Sequence, residues 1–277
     1  MQFEPLSSER HQQLSVNSGF DFMQYATLSR ATVCVDEFAS LSCSFPLFFI
    51  KDTQTNNFQS IALMSLFANN EKALPNPIFS CGDSRFVASL PNSLRQLPFA
   101  LVNDPENANK LTIGIATESL QVTDTADIAN SGNTDPQERW EALFVADSAG
   151  NLGQPSPYLN SVERELQQQF QAEQTTQQVI NELVRHALLQ ELEIHLHLQN
   201  GDSSQIRGLY SINEQALNQL PNNDKLSLMN NGMLPAMYAM LASLSQLNRL
   251  IQLHSLQAEQ QDVNTPKIAN INVKRRS

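Results

Sequence analysis

LEIHLHLQNGDSSQIRGLYSI, residues 192–212, decides the fold class. Leu192, Ile194, Leu196 and Leu198 fall on one side of an extended chain, and Glu193, His195 and His197 on the other, which is the two-residue period of a half-buried strand. Asn200-Gly201 is a hairpin turn signal, and QIRGLYSI (205–212) supplies the return strand. The stretches on either side read as helix. From Pro157, Leu159, Val162, Leu166 and Phe170 recur every three or four residues and form an apolar stripe. Glu163, Glu165, Gln167, Gln168 and Gln169 lie opposite. A second helix is expected after Thr175-Thr176, a threonine capping its first turn, with Val179, Ile180, Leu183, Val184 and Ala187 on one face. Downstream, NEQALNQL ends at Pro221, and a long helix is expected over 233–258 with Met237, Met240, Leu241, Leu244, Leu247, Ile251 and His254 on its face. Beyond about 260 the periodicity stops, and the chain is expected to fray.

Upstream of Pro157 the texture changes to short, nearly continuous apolar runs. ATVCV (31–35), the run Phe45 to Ile50, SIALMSLFA (60–68) and LTIGIAT (111–117) read as strands covered on both faces. DEFASLSC (36–43) reads as a helix opened by Asp36, 118–138 as an irregular loop, and ERWEALFVAD (138–147) as a short element. The expected fold is α+β: a strand-rich N-terminal lobe, 1–155, packed on a C-terminal lobe of helices, 156–260, around the 192–212 hairpin, with a disordered tail at 261–277.

Composition narrows the class of partner. The 277 residues carry 17 Lys plus Arg against 28 Asp plus Glu, a net charge of −11. A surface that neutralises phosphates is usually basic, so no nucleic-acid partner is expected. The basic run Lys274-Arg275-Arg276 reads as a solvated tail. Cys34, Cys43 and Cys81 are too few for a disulfide scaffold and read as free thiols. MQFEPLSSERHQQL has no basic segment followed by an apolar one. The stretch nearest to membrane length, 233–251, is interrupted by Ser243, Ser245, Gln246, Asn248 and Arg249, where a span needs about 20 apolar residues. A cytoplasmic protein with no membrane span is expected.

The chemistry-bearing motifs are missing. There is no Gly-rich phosphate loop, G-x-S-x-G, C-x-x-C or H-E-x-x-H. His195 and His197 share a strand face about 6.6 Å apart, beside Glu193. They read first as the solvent face of an amphipathic hairpin and second as a two-ligand metal site, which lacks the further ligands a bound ion needs. No metal and no cofactor are expected, and the question of enzymatic activity stays open.

Several segments together resemble the SapC family. They are PLSSERHQQLSV (5–16), DEFASLSCSFPLFF (36–49), SIALMSLFANNE (60–71), LPNSLRQLPFAL (90–101) and ALFVADSAGNLGQPSPYL (142–159), followed by the hairpin with Gly208 and the final Leu-rich helix. The family often has tandem arginines before Tyr-Pro-Phe, where this chain has Arg95-Gln96-Leu97-Pro98-Phe99. It often has a Trp before its Pro-Arg motif, where this chain has Phe86, so a divergent member is expected. The family is named for surface-layer association, and its members look to be often encoded beside flavin-dependent tryptophan-halogenase-like and cupin-like proteins. The resemblance implies a non-catalytic accessory or binding protein serving a modification, surface-layer or uptake system. An enzyme whose pocket assembles around Arg95 and takes an anionic substrate is one alternative, and a structural surface-layer component is another.

The candidate site is centred on Arg95, the only charge in LPNSLRQLPFAL, with Glu37, Asn69, Asn70, Pro91 and Phe99 around it. A guanidinium suits bidentate capture of a carboxylate. Two roles stay open: a clamp on a small anionic ligand, or an internal pair with Asp36 or Glu37 that joins the lobes. The expected partner is another protein or that small anion.

Overall fold

The computed structural model describes residues 2–19, 25, 28–52, 55–66, 90–107, 109–131, 139–147, 150, 152–260 and 267–276. Among these the strands are, in chain order, β1 (Glu4–Pro5), β2 (Leu14–Asn17), β3 (Arg30–Thr32), β4 (Leu47–Lys51), β5 (Phe58–Leu63), β6 (Phe99–Asn103), β7 (Leu111–Ile115), β8 (Val122–Asp124), β9 (Trp140–Ala142), β10 (Phe144–Ala146), β11 (Leu152–Pro155), β12 (Leu189–Leu198), β13 (Ser203–Ile212) and β14 (Ile268–Arg275). All strand pairs are antiparallel and occur alongside long helices, so the fold is mixed α+β.

The chain divides into two compact units, each made of two separate stretches: Met1–Gln24 with Asn92–Gln171, and Tyr25–Pro91 with Ala172–Ser277. The boundary expected at 155/156 differs from this division. Periodicity marks where strands are, but it carries no record of which strands pair. Here the early strands β3, β4 and β5 share a sheet with the late hairpin.

In the first unit, three small sheets run β1-β7-β6, β8-β2-β9 and β10-β11. Gly114 on β7 allows close strand approach, since a Cβ there would lie 2.6 Å from Val102 Cγ1. The core joins Val16, Phe99, Ile115, Leu143 and Phe144 to Leu159, Val162 and Leu166 of the helix Pro157–Arg185. The stripe read from the sequence is therefore the buried face of that helix up to Leu166, and Phe170 is partly exposed. Part of the stretch expected as an irregular loop is ordered. β8 pairs with β2, and the helix Thr125–Ser131 follows it, with Thr125 Oγ1 2.8 Å from Ser15 Oγ.

In the second unit, one six-stranded sheet runs β14-β12-β13-β4-β5-β3. The hairpin forms as read, with Gly201 at φ +91° and Asn200 Oδ1 accepting the Asp202 amide at 3.1 Å. A bulge opposite Leu192 to Ile194 is accommodated by Gly208 at φ +75°, a conformation glycine adopts without Cβ strain. β13 then joins β4 through Leu209↔Ile50 and Tyr210↔Phe49. Leu47, Phe49, Leu192, Ile194 and Leu196 are buried, as are Met233, Met237 and Met240 of the helix Met233–Ser243.

Three expectations about this unit are corrected. The helix break at Thr175-Thr176 does not occur, and Pro157–Arg185 is one helix. The Thr176 hydroxyl donates to the Ala172 carbonyl one turn back at 2.7 Å and accepts the Val35 amide at 2.9 Å, so it does not cap. The long helix expected over 233–258 is two, Met233–Ser243 and Gln246–Gln260. Ser243 Oγ turns inward to accept the Leu47 amide at 2.9 Å. Residues 268–275, expected to be a disordered tail, form β14 on the outer side of β12, with Leu192↔Arg275 and Leu196↔Ile271 in register. Its apolar residues Ile268, Ile271 and Val273 do not keep a strict two-residue alternation, so little in its own pattern reveals a strand whose order comes from its neighbour. The basic run is correspondingly structured: Lys274 and Arg275 end β14, and Arg276 Nη1 reaches Glu191 Oε2 at 3.3 Å.

Candidate functional site

The expected residues separate. Arg95 ends the one-turn helix Asn92–Arg95 and is exposed, while Leu94 beside it is buried. Phe99 lies in the core of the first unit, its ring 6.3 Å from that of Tyr158. Pro91 is buried. Glu37 is buried in the second unit, where its Oε2 accepts the Cys34 amide at 2.9 Å across a short turn, Val35–Glu37. Asn69 and Asn70 lie outside the described residues, as do Cys81 and Phe86. Arg95 and Glu37 belong to different units, and Arg95 does not line any cavity described below.

Among the described residues, the donor atoms that lie close enough to hold a metal are those of Cys34, Asp36 and Glu37, all within 4.8 Å of one another. Their chemistry favours a local structural role. Burial pushes the Cys34 thiol up to about 12, so it stays protonated at neutral pH and is a poor ligand. Glu37 already serves the Cys34 amide. Thr32, Cys34, Ser60, Glu173 and Thr176 line a small cavity of about 250 Å³.

A more capable site lies on the six-stranded sheet. Residues of β13, β4, β5 and β3 line a cavity of about 620 Å³, within the range of small-molecule sites. Leu209, Ile50 and Gln59 stand in register across three strands, and Arg30 stands opposite Leu63. Leu209, Ile50, Ile61 and Leu63 give apolar lining, and Arg30, Lys51 and Arg207 add three cations against one acid, Asp52. The hydroxyls of Ser29, Ser65 and Ser204 also line it, and no imidazole or thiol is among its described lining residues.

The three cations differ in how far they are already neutralised. Arg207 Nε donates to Glu193 Oε1 at 2.6 Å, and Glu193 Oε2 lies 3.2 Å from His195 Nε2. Against the cost of desolvation, the bonds from Arg207 and His195 hold the Glu193 carboxyl below the usual range. The face expected either as solvent-exposed or as a two-ligand site is thus a polar network in which Gln205 Nε2 also reaches His195 Nε2 at 3.1 Å. Lys51 Nζ sits 5.6 Å from the Phe58 ring centroid, and that ring meets Tyr210 edge-on at 5.0 Å. Arg30 is exposed and makes no ion pair among the described residues. Sequence reading missed all three. Arg30 precedes the ATVCV run and Lys51 follows the Phe45–Ile50 run, while Arg207 lies more than 150 residues further along the chain.

A groove of about 700 Å³ in the first unit is more apolar, with Leu6, Leu101, Ile113, Phe144, Leu159 and Phe170 among its walls. No helix among the described residues is long and apolar enough to cross a membrane.

This architecture defines a mixed α+β protein of two units, each built from two stretches of the chain, with a cavity lined in part by cations on the larger sheet. The SapC family model matches residues 6–250, and the chain belongs to the SapC family. No curated protein and no solved structure matches it.

Proposed function

We propose that this SapC-family chain is a non-catalytic binding protein with an accessory role in a modification, surface-layer or uptake system, and that its ligand is a small anionic molecule with an apolar body. The observation that carries the reading is the 620 Å³ sheet cavity, which gathers Arg30, Lys51 and Arg207 over aliphatic side chains in a chain of net charge −11. A guanidinium pairs strongly with carboxylate or phosphate, and the aliphatic lining favours a ligand that buries hydrocarbon. The anion clamp expected at Arg95 moves, in this reading, to Arg30, which makes no ion pair among the described residues. Binding without catalysis is favoured by the lining itself: hydroxyls without an adjacent imidazole lack the base that activates such nucleophiles.

Calorimetric titration with aliphatic and aromatic carboxylates and with phosphate monoesters tests this. At least one series should bind, and affinity should rise with apolar size. Arg30→Ala should weaken binding at least tenfold with little change in Tm. Absence of binding across both series, or equal affinity for neutral amide analogues, would overturn the reading. Turnover of any bound ligand would favour the enzyme alternative.

A further inference from the structure

The outer edge of β14 offers a separate site, independent of the cavity. β14 pairs with β12 along one side only; on the other, no strand among the described residues meets it. All of its residues except Ile268 and Ile271 are exposed. The orientation of its backbone follows from one hydrogen bond. The Arg276 amide donates to the Glu191 carbonyl at 2.9 Å, so residue 276 faces β12. In an antiparallel ladder this alternates, which turns Lys274, Asn272 and Asn270 toward β12 and aims the N–H and C=O groups of Arg275 and Val273 and the C=O of Ile271 outward, the Ile271 amide donating to Asn270 Oδ1 at 2.7 Å. An edge of this kind is a template for another strand.

Charge selects the occupant. Lys267 is engaged with Glu259 at 3.4 Å and Arg276 with Glu191, whereas Lys274 and Arg275 are exposed and make no ion pair among the described residues. A second copy fits poorly. Antiparallel self-pairing centred on Ile271 sets Arg275 against Lys267 of the other copy, pairing centred on Arg275 sets Lys274 against Arg276, and pairing centred on Val273 sets Lys274 and Arg275 against Asn272 and Ile271, which offer no acid to neutralise them. Like charges directly opposite on paired strands are destabilising. We infer that β14 accepts an extended, acidic segment of a partner protein as a seventh strand, with main-chain bonds from residues 273 and 275 and the Ile271 carbonyl, and acidic side chains opposite Lys274 and Arg275.

The test uses the full chain and two blocked, fluorescently labelled peptides in an anisotropy titration: Glu-Val-Thr-Val-Thr-Val-Glu-Glu, and the same sequence with Lys at each Glu position. The acidic peptide should bind at least tenfold more tightly. Val273→Pro should abolish binding without altering the circular dichroism spectrum or Tm, because the lost N–H faces outward. If that variant unfolds, the double change Lys274→Glu and Arg275→Glu decides, and it should reverse the peptide preference. Equal binding of both peptides, no binding of either, or unchanged binding by Val273→Pro would overturn the inference. So would a concentration-dependent dimer in sedimentation that Val273→Pro abolishes, since it would assign the edge to a second copy.

Discussion

VCVDEFASL (33–41) and LPNSLRQLPFAL (90–101) look alike on paper: each sets charge among apolar residues and includes one turn of helix. Their charges meet opposite fates. Glu37 is 7% exposed and bonds the amide of Cys34, whereas Arg95 projects into solvent beside buried Leu94. One helical turn presents consecutive residues about 100° apart, so a single apolar neighbour says little about where the next side chain points. A carboxylate three residues after an unpaired amide can fold back onto it, and that local bond offsets the cost of burial. Arg95 has no acidic side chain nearer in sequence than Asp104.

The contrast can be broken most visibly through thiol chemistry. In a Cys81→Ser background, native protein should react with a thiol reagent rapidly at exposed Cys43 and on the order of a hundredfold or more slowly at Cys34, whose thiol is buried beside Glu37 and pushed up to about 12. Equal rates would mean the Glu37 corner opens as freely as the Arg95 tip.

Next in size is the carboxylate itself. Glu37→Ala strands the Cys34 amide and should cost about 3 kcal/mol in urea unfolding, whereas Glu37→Gln keeps an acceptor and should cost less than half as much. A loss from Glu37→Ala no larger than that from Arg95→Ala would erase the distinction.

His254 sharpens it with pH. This imidazole, read from the sequence as one more residue on a helix face, is 2% exposed, and its Nε2 accepts the Leu66 amide at 3.1 Å. Burial lowers its pKa from 6.5 to about 4. Between these values the unfolded chain binds a proton that the folded chain refuses, so stability rises with pH across the window. It is complete above pH 6.5 and falls as pH drops toward 4, with about 2 kcal/mol lost at pH 5 from this group. Unfolding curves from pH 7 to 4.5 should show that decline and should flatten in His254→Asn. An unchanged slope would count against a neutral buried imidazole.

The smallest effect belongs to Arg95. Arg95→Ala and Arg95→Lys should each shift unfolding by no more than about 0.5 kcal/mol, as exposed substitutions do. A loss above about 2 kcal/mol would restore the internal pair considered from sequence.

Legibility followed the range of the interactions. Alternation and Asn200-Gly201 marked the hairpin because its pairing is local, and the stripe from Leu159 marked a helix whose apolar face is local too. The continuity of that helix through Thr176 was hidden, since it depends on a hydroxyl serving Val35, roughly 140 residues earlier. β14 was hidden because Ile268 and Ile271 are its most covered apolar side chains and its order comes from β12. The cavity was hidden most completely. Arg30, Lys51 and Arg207 come from three strands, and no spacing within the chain announces that they share a wall.

The order β14-β12-β13-β4-β5-β3 also sets a timetable for synthesis. Ile50 of β4 pairs with Leu209 of β13, roughly 160 residues later in the chain. At ribosomal rates of about 5–20 residues per second, β4 waits about 8–30 s for its neighbour. Until then β4 has only β5 to pair with, so the edge that will meet β13 is bare while Leu47, Phe48 and Phe49 lack their final cover. That places the aggregation hazard of this chain before its completion, while the β4 edge waits for the hairpin.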